Sequence, residues 1–215
     1  MRFMWMVLLV LLLPGAAAAA SDRPLPADQS YGVYRDGTRI GSRTTRFRRE
    51  GDDLIVEIAS DIEVTIVFIT VYSLSERQTE VWRDGTLMAF TSTVDENGSK
   101  SKLEMVRGDN GLEVVGKRRR RPIPPDAVPE TFWNPLTATA TTLIDIDRGR
   151  ALTVEVKAEG QETIPVHGDD ILTTKYRITG DRDRLLWYDA EGVMIRMRLT
   201  ASDGSTIEVR PSAGD

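Results

Sequence analysis

The sequence predicts an all-β fold, an antiparallel meander bent into a strongly curved sheet or half-open β-barrel with at most one short helix near 134–144. Three observations predict it. Asp-Gly recurs at 36–37, 84–85 and 203–204 and Asn-Gly at 97–98 and 110–111, dipeptides that tolerate positive φ and reverse a strand tightly. Looser glycine turns lie between these, and the intervening runs have strand length. Several runs also alternate with a period of two, as half-buried strands do. Serial strands joined by short turns pair each with its predecessor, and about a dozen such strands curl rather than stay flat.

The chain opens on Arg2 and an apolar run to Leu13, then Pro14-Gly15 and five alanines. This order of charge, short apolar core and small residues predicts a secretory signal peptide spanning 1–20 and cleaved near Ala20. The run is shorter than the roughly 20 residues of a membrane span. Residues 21–215 are then expected to be an exported, periplasmic, soluble chain forming a single β-rich domain. With no cysteine it has neither disulfide staples nor an N-terminal lipid attachment point, so its stability rests on its core.

In 54–61, Leu54, Val56 and Ile58 share a face opposite Ile55, Glu57, Ala59 and Asp61. The next run, 62–72, is apolar on both sides: Ile66 and Phe68 against Val67, Ile69 and Val71. That pattern predicts one strand covered on both faces, by a helix, a plug or a ligand. At 82 and 187 a Trp precedes an Asp by two residues and a Gly opens the return strand, predicting two hairpins whose aromatics anchor turn to core. Leu152, Val154 and Val156 alternate with Thr153, Glu155 and Lys157, and Val193, Ile195, Met197 and Leu199 with Met194, Arg196, Arg198 and Thr200.

Between the two halves, residues 116–149 break the rhythm. Four prolines from 122 to 129 predict an irregular, largely exposed loop over about 116–134. Asn134-Pro135 then reads as the cap and first-turn pair of one short helix or helical turn, with Leu136, Ala140 and Leu143 at helical spacing and four threonines opposing it.

Catalytic and metal signatures are sparse. One histidine, His167 in "PVHGDD", and no cysteine rule out the usual zinc spacings, and no Gly-x-Ser-x-Gly elbow accompanies the histidine. His167 reads as a turn residue. The carboxylate pairs Asp52/Asp53, Asp145/Asp147, Asp169/Asp170 and Asp181/Asp183 lack a complete calcium loop, and no phosphate-cradling glycine loop is present. No cofactor, metal site or catalytic residue is therefore expected. A net charge of −5 argues against nucleic acid as a partner. Lys117, Arg118, Arg119, Arg120 and Arg121 form the sharpest charge cluster, suited to an anionic headgroup or an acidic partner or to keeping a sheet end solvated.

The segments "YGVYRDGTRIGSRTTRF", "EVWRDGTLMAFTSTVDENG", "TFWNP" and "LLWYDAEGVMIRMRLTASDGSTIEV" together resemble a family of exported bacterial proteins known only as a domain of unknown function. The resemblance runs from about Tyr31 to Val209 and implies a periplasmic location and a curved antiparallel sheet. More distantly, the cysteine-free meander looks like the half-open barrels of lipoprotein-localisation carriers, with less helix to form a lid.

The leading expectation is a non-catalytic protein holding a lipid-like, apolar or amphipathic envelope molecule inside the curved sheet. Ile66, Phe68, Val71, Trp82, Phe90, Trp133 and Trp187 would line the pocket, with Lys117 to Arg121 at its mouth. Alternatives are a structural or protein-interaction module of the envelope with a filled core, and a carboxylate-based hydrolase of cell-wall glycan.

Overall fold

The computed structural model describes residues 24–116 and 122–212. The predicted signal segment 1–20 and the basic cluster Lys117 to Arg121 lie outside the described residues. The chain forms β1 (Gln29–Arg35), β2 (Thr38–Glu50), β3 (Asp53–Ile66), β4 (Ile69–Arg83), β5 (Thr86–Glu96), β6 (Ser99–Gly108) and β7 (Gly111–Val114). After these come β8 (Val128–Pro129), a 3-10 turn (Pro135–Thr139), β9 (Thr142–Asp145), β10 (Arg150–Val166) and β11 (Asp169–Gly180). β12 (Arg184–Tyr188), β13 (Met194–Thr200) and β14 (Thr206–Pro211) complete the order.

All 14 strands make one curved open sheet, ordered β7-β6-β5-β4-β3-β2-β1-β14-β13-β12-β11-β10-β9-β8. Each half is a meander, and the first and last strands join the halves, with Val33 opposite Val209. The seam falls between β7 and β8, where the prolines interrupt the chain. Bulges after Val33, Val64, Val81, Ala158 and Trp187 add the local bend that a sheet this wide needs. Among the described residues no helix is long and apolar enough to cross a membrane.

The expected turn chemistry holds at three hairpins. Asp36-Gly37, Asp84-Gly85 and Asn97-Gly98 each place both central residues at positive φ. The fourth such turn, between β10 and β11, is His167-Gly168, with φ of 53° and 98°, and His167 is exposed there. Asn134 caps the 3-10 turn, its Oδ1 accepting from the Leu136 N–H at 3.0 Å. The helical spacing stops there, since Leu143 lies in β9.

Three expectations are corrected. First, 62–72 is not one covered strand. It is the end of β3, a two-residue turn at Val67-Phe68 and the start of β4, all but its base exposed. The apolar run hid the turn because neither residue carries turn chemistry, yet both sit at positive φ, 46° and 64°.

Second, the alternation over 193–200 slips at the bulge beside Trp187. Met194 pairs with Tyr188 and Arg196 with Trp187, so Ile195 is the extra residue. Met194, Met197 and Leu199 face the interior, while Val193 and Ile195 join Trp187 on the opposite face.

Third, the proline-rich segment is no exposed loop from 127 onward, because residues 127–134 are all buried. They form a strap that fills the concave side of the sheet. Ile123, Ala127 and Trp133 pack with Phe47, Val56, Ile58, Trp82 and Phe90 of the first half. Val128 and Phe132 pack with Leu152, Leu186 and Met197 of the second, and with Tyr31 of β1 at the join. Proline lacks a donor but accepts an extended path, so the segment serves as filling where it cannot serve as a central strand. At its start Ile123 exchanges backbone hydrogen bonds with Leu112, at 2.8 and 3.1 Å. That approach needs Gly111, at φ +129°, because a Cβ there would meet the Ile123 carbonyl oxygen at 2.0 Å.

Candidate functional site

Four successive strap residues are held by side chains from different parts of the sheet. Arg182, in the β11–β12 connection, pairs with the Glu130 carboxylate through both Nε and Nη2. Arg43 of β2 donates to the Thr131 carbonyl at 2.6 Å. Tyr188 of β12 donates to the Phe132 carbonyl at 2.8 Å, where Phe132 itself is at φ +62°. Glu80 of β4 accepts from Thr131 Oγ1 at 2.6 Å, Trp133 Nε1 at 2.8 Å and Trp82 Nε1 at 2.6 Å. These bonds satisfy polar atoms that the strap would otherwise bury unpaired.

Charge on the concave side continues along β4. Glu76, Gln78 and Glu80 occupy alternate positions and therefore share a face with the interior. Burial pushes the Glu76 and Glu80 carboxyls above their ordinary range, partly offset by Arg43 at both and by the donors on Glu80. Burial likewise raises Glu130, against the pull of Arg182, and raises Asp147, helped by the neighbouring Asp145 charge. Asp145 itself goes the other way. Its burial is outweighed by the Arg148 and Asp147 backbone N–H groups, at 3.0 and 3.1 Å, and by Arg150 Nε at 3.0 Å, which hold it low.

These opposite shifts set a pH profile. The raised acids bind protons more readily in the folded chain, so acidification stabilises it until the unfolded chain also protonates, near 4.5 for glutamate. Asp145 contributes stability that is present above its unfolded value of 3.8 and is lost as pH falls through its lower folded value. Urea unfolding should therefore show stability rising from neutral pH toward 4.5 and falling below 3.8. A monotonic loss from neutrality downward would contradict these assignments.

A cleft of about 490 Å3 opens between the strap, β4 to β6 and β13. Leu74, Val94, Phe132, Ile146, Met197 and Leu199 supply its apolar lining, and Glu76, Glu96, Glu130, Asp147, Arg148, Arg182 and Arg184 its charges of both signs. Tyr72 stands at its edge, its hydroxyl pKa raised to about 12 by burial and by Glu96. Arg184 has a buried Nε–H with no hydrogen-bond partner among the described residues, and burial lowers its pKa. A second, smaller pocket of about 240 Å3 lies beside Trp82, Trp133, Pro24 and Pro26.

A family described as a domain of unknown function, DUF6134, matches residues 31–212, and "TFWNP" lies within that span. The chain belongs to this family. The match covers the region expected from the resemblance over about Tyr31 to Val209. No curated protein matches the DUF6134 chain. Among solved structures it is similar to the crystal structure of a β-barrel-like protein of the domain of unknown function DUF1849 from Brucella abortus. The two are 12% identical, the likeness covers 90% of this chain and 99% of that one, and the TM-score is 0.63. At that identity the likeness shows the fold alone.

The structure scatters the sequence-predicted pocket residues of this DUF6134 chain. Trp82, Phe90 and Trp133 meet in one cluster of the interior. The Trp82 and Trp133 rings are perpendicular, 5.9 Å apart, and both border the smaller pocket. Trp187 lies on the opposite face of the sheet with Ile164 and Ile195, donates to Glu162 Oε2 at 2.7 Å, and has Lys175, Arg196 and Arg198 each 5.6 Å from its ring. The two Trp-Asp-Gly hairpins thus differ in turn, two residues at Asp84-Gly85 against five over 189–193, and their tryptophans serve different faces. Ile66, Phe68 and Val71 stand exposed at the β3–β4 tip, away from the cleft and the smaller pocket.

Sequence reading missed Arg43, Glu76, Glu80, Arg182 and Arg184. In "ERQTEVW" five polar residues run in succession, a pattern that marks neither face as inside, and the strand turns Glu76, Gln78 and Glu80 inward. The available signal was "EVW" taken with "TFW": one carboxylate and two indole donors that need an acceptor once buried.

Proposed function

We propose that this protein is an exported, non-catalytic binding protein that takes an amphipathic envelope molecule, lipid-like and with a polar or zwitterionic head, into the cleft on its concave side. The observation that carries the reading is the division of that cleft, of about 490 Å3, into an apolar lining and charges of both signs. The volume falls in the range of small-molecule sites, roughly 300–1,000 Å3. Leu74, Val94, Met197 and Leu199 suit a single acyl chain, while the unpartnered Arg184 Nε–H suits an anionic oxygen and Glu76 and Asp147 suit an ammonium. The pocket aromatics of the sequence reading give way to these residues, because the strap occupies the space they were expected to line.

Lysophosphatidylethanolamine is the first probe, since one chain and both head charges match the lining. Leu199→Trp narrows the cleft from β13 without touching the strap's hydrogen bonds. We expect it to weaken binding at least about tenfold in isothermal titration, the worth of one well-buried apolar contact, with an unchanged melting temperature. Equal affinity in the two proteins would remove the cleft from consideration.

One observation favours a second reading, an envelope interaction module. The strap already fills most of the concave side with the chain's own side chains. Under that reading no amphiphile saturates the protein at all.

A further inference from the structure

The tip of the β3–β4 hairpin pairs with neither flanking strand. The last residues of β2 and β3 to pair are Gly41 and Ile62, and the pairing of β4 with β5 begins at Leu74 and Glu96. From Val64 to Tyr72 the two strands pair only with each other. The finger extends about four residues, or about 13 Å, past its last pairing with β2. Ile66, Val67, Phe68, Ile69 and Val71 on it are 58%, 81%, 100%, 67% and 51% exposed. Nothing in the fold rewards these residues. Val67-Phe68 holds both central positions at positive φ where three other turns of the chain use Asp-Gly or Asn-Gly.

We infer that this finger docks the protein on a zwitterionic lipid surface by inserting its apolar tip to headgroup depth. Four features select that occupant. The finger is two-sided, with Ile66 paired to Ile69 on one face and Thr65 to Thr70 on the other, so one face is apolar and the other polar. Its outer edges carry unpaired backbone groups, which headgroups and water satisfy but hydrocarbon does not, and this limits insertion to the interface. Glu63, Asp95 and Glu96 at its base outnumber Arg39 and Lys100, which disfavours an anionic surface. Five apolar residues are also far fewer than the roughly 20–30 a side of a stable protein interface.

Position adds a use. Tyr72 and Leu74, at the root of the finger on β4, line the cleft, so a docked bilayer lies beside its mouth. Docking itself does not require the cleft to hold a ligand.

The test is flotation of the mature protein with vesicles of phosphatidylcholine and phosphatidylethanolamine, beside vesicles rich in phosphatidylglycerol, at low and high salt. The wild type is expected to float with the zwitterionic vesicles irrespective of salt. The Val67→Asn/Phe68→Gly variant supplies the turn its preferred residues, so it should melt no lower than the wild type while losing at least about tenfold in vesicle partitioning. Leu199→Trp should float like the wild type, which separates failure of the cleft from failure of the finger. Absent flotation, or equal flotation of the turn variant, overturns the inference. So does a dimer in light scattering that the turn variant abolishes without any flotation, since the occupant is then a second copy of the chain.

Discussion

Glu80→Ala is expected to lower the unfolding free energy by about 3–5 kcal/mol, because it removes one buried acceptor from three donors at once. Trp82 Nε1, Trp133 Nε1 and Thr131 Oγ1 all donate to this carboxylate, and Glu80 is fully buried. Each stranded donor costs about 1–3 kcal/mol before relaxation, and the neighbouring Arg43 loses a compensating charge. Glu80→Gln keeps one carbonyl acceptor and should cost about half as much. Urea unfolding followed by tryptophan fluorescence measures both. A loss under about 1 kcal/mol for the alanine variant would show that the strap is not fastened there.

Trp133→Ala should cost a similar amount, about 3–5 kcal/mol, by opening a cavity where the first-half core meets the strap. The Trp133 ring sits 5.3 Å from Phe47 and 5.9 Å from Trp82, both edge-to-face, and is 8% exposed. Combining it with Glu80→Ala should be clearly less than additive, since both changes release the same segment. Combined with Trp187→Ala, whose ring lies in a separate cluster on the other face, the two costs should add. Additivity in the first pair, or strong coupling in the second, would contradict this division of the core.

What the sequence made legible was what local chemistry dictates. Asp84-Gly85 and Asn97-Gly98 announce hairpins because few other residues enter positive φ cheaply, and both turns stand where expected. Leu152 and Val154 are buried and Thr153 is exposed because a strand has two faces. The interior was not legible, since it depends on which segment fills the bend. Prolines 124 and 125 look like surface punctuation until residues further along the same segment are seen to be buried against both halves. Glu76 and Glu80 stood unmarked because residues 75–80, "SERQTE", are polar throughout and such a run does not say which face is inside. Val67-Phe68 read as strand because its apolar side chains outweighed a backbone need that no residue there advertises.

The cleft also ties the two halves of the proposal to one site. Its linings come from β4 to β6, β13, the strap, the β9–β10 connection and the start of β12 with the connection before it, elements that meet because the sheet curls around the 127–134 segment. Loosening the strap with Glu80→Ala should therefore weaken amphiphile binding as well as stability, whereas Leu199→Trp should affect binding alone.

Native mass spectrometry of the protein recovered from its host, before and after solvent extraction, tests the binding claim most directly. The expected result is a one-to-one adduct of lipid mass that extraction removes, that re-forms on incubation with envelope lipids, and that Leu199→Trp depletes. A clean protein mass in both wild type and variant, persisting after that incubation, would contradict it and leave the filled-core interaction module as the standing account.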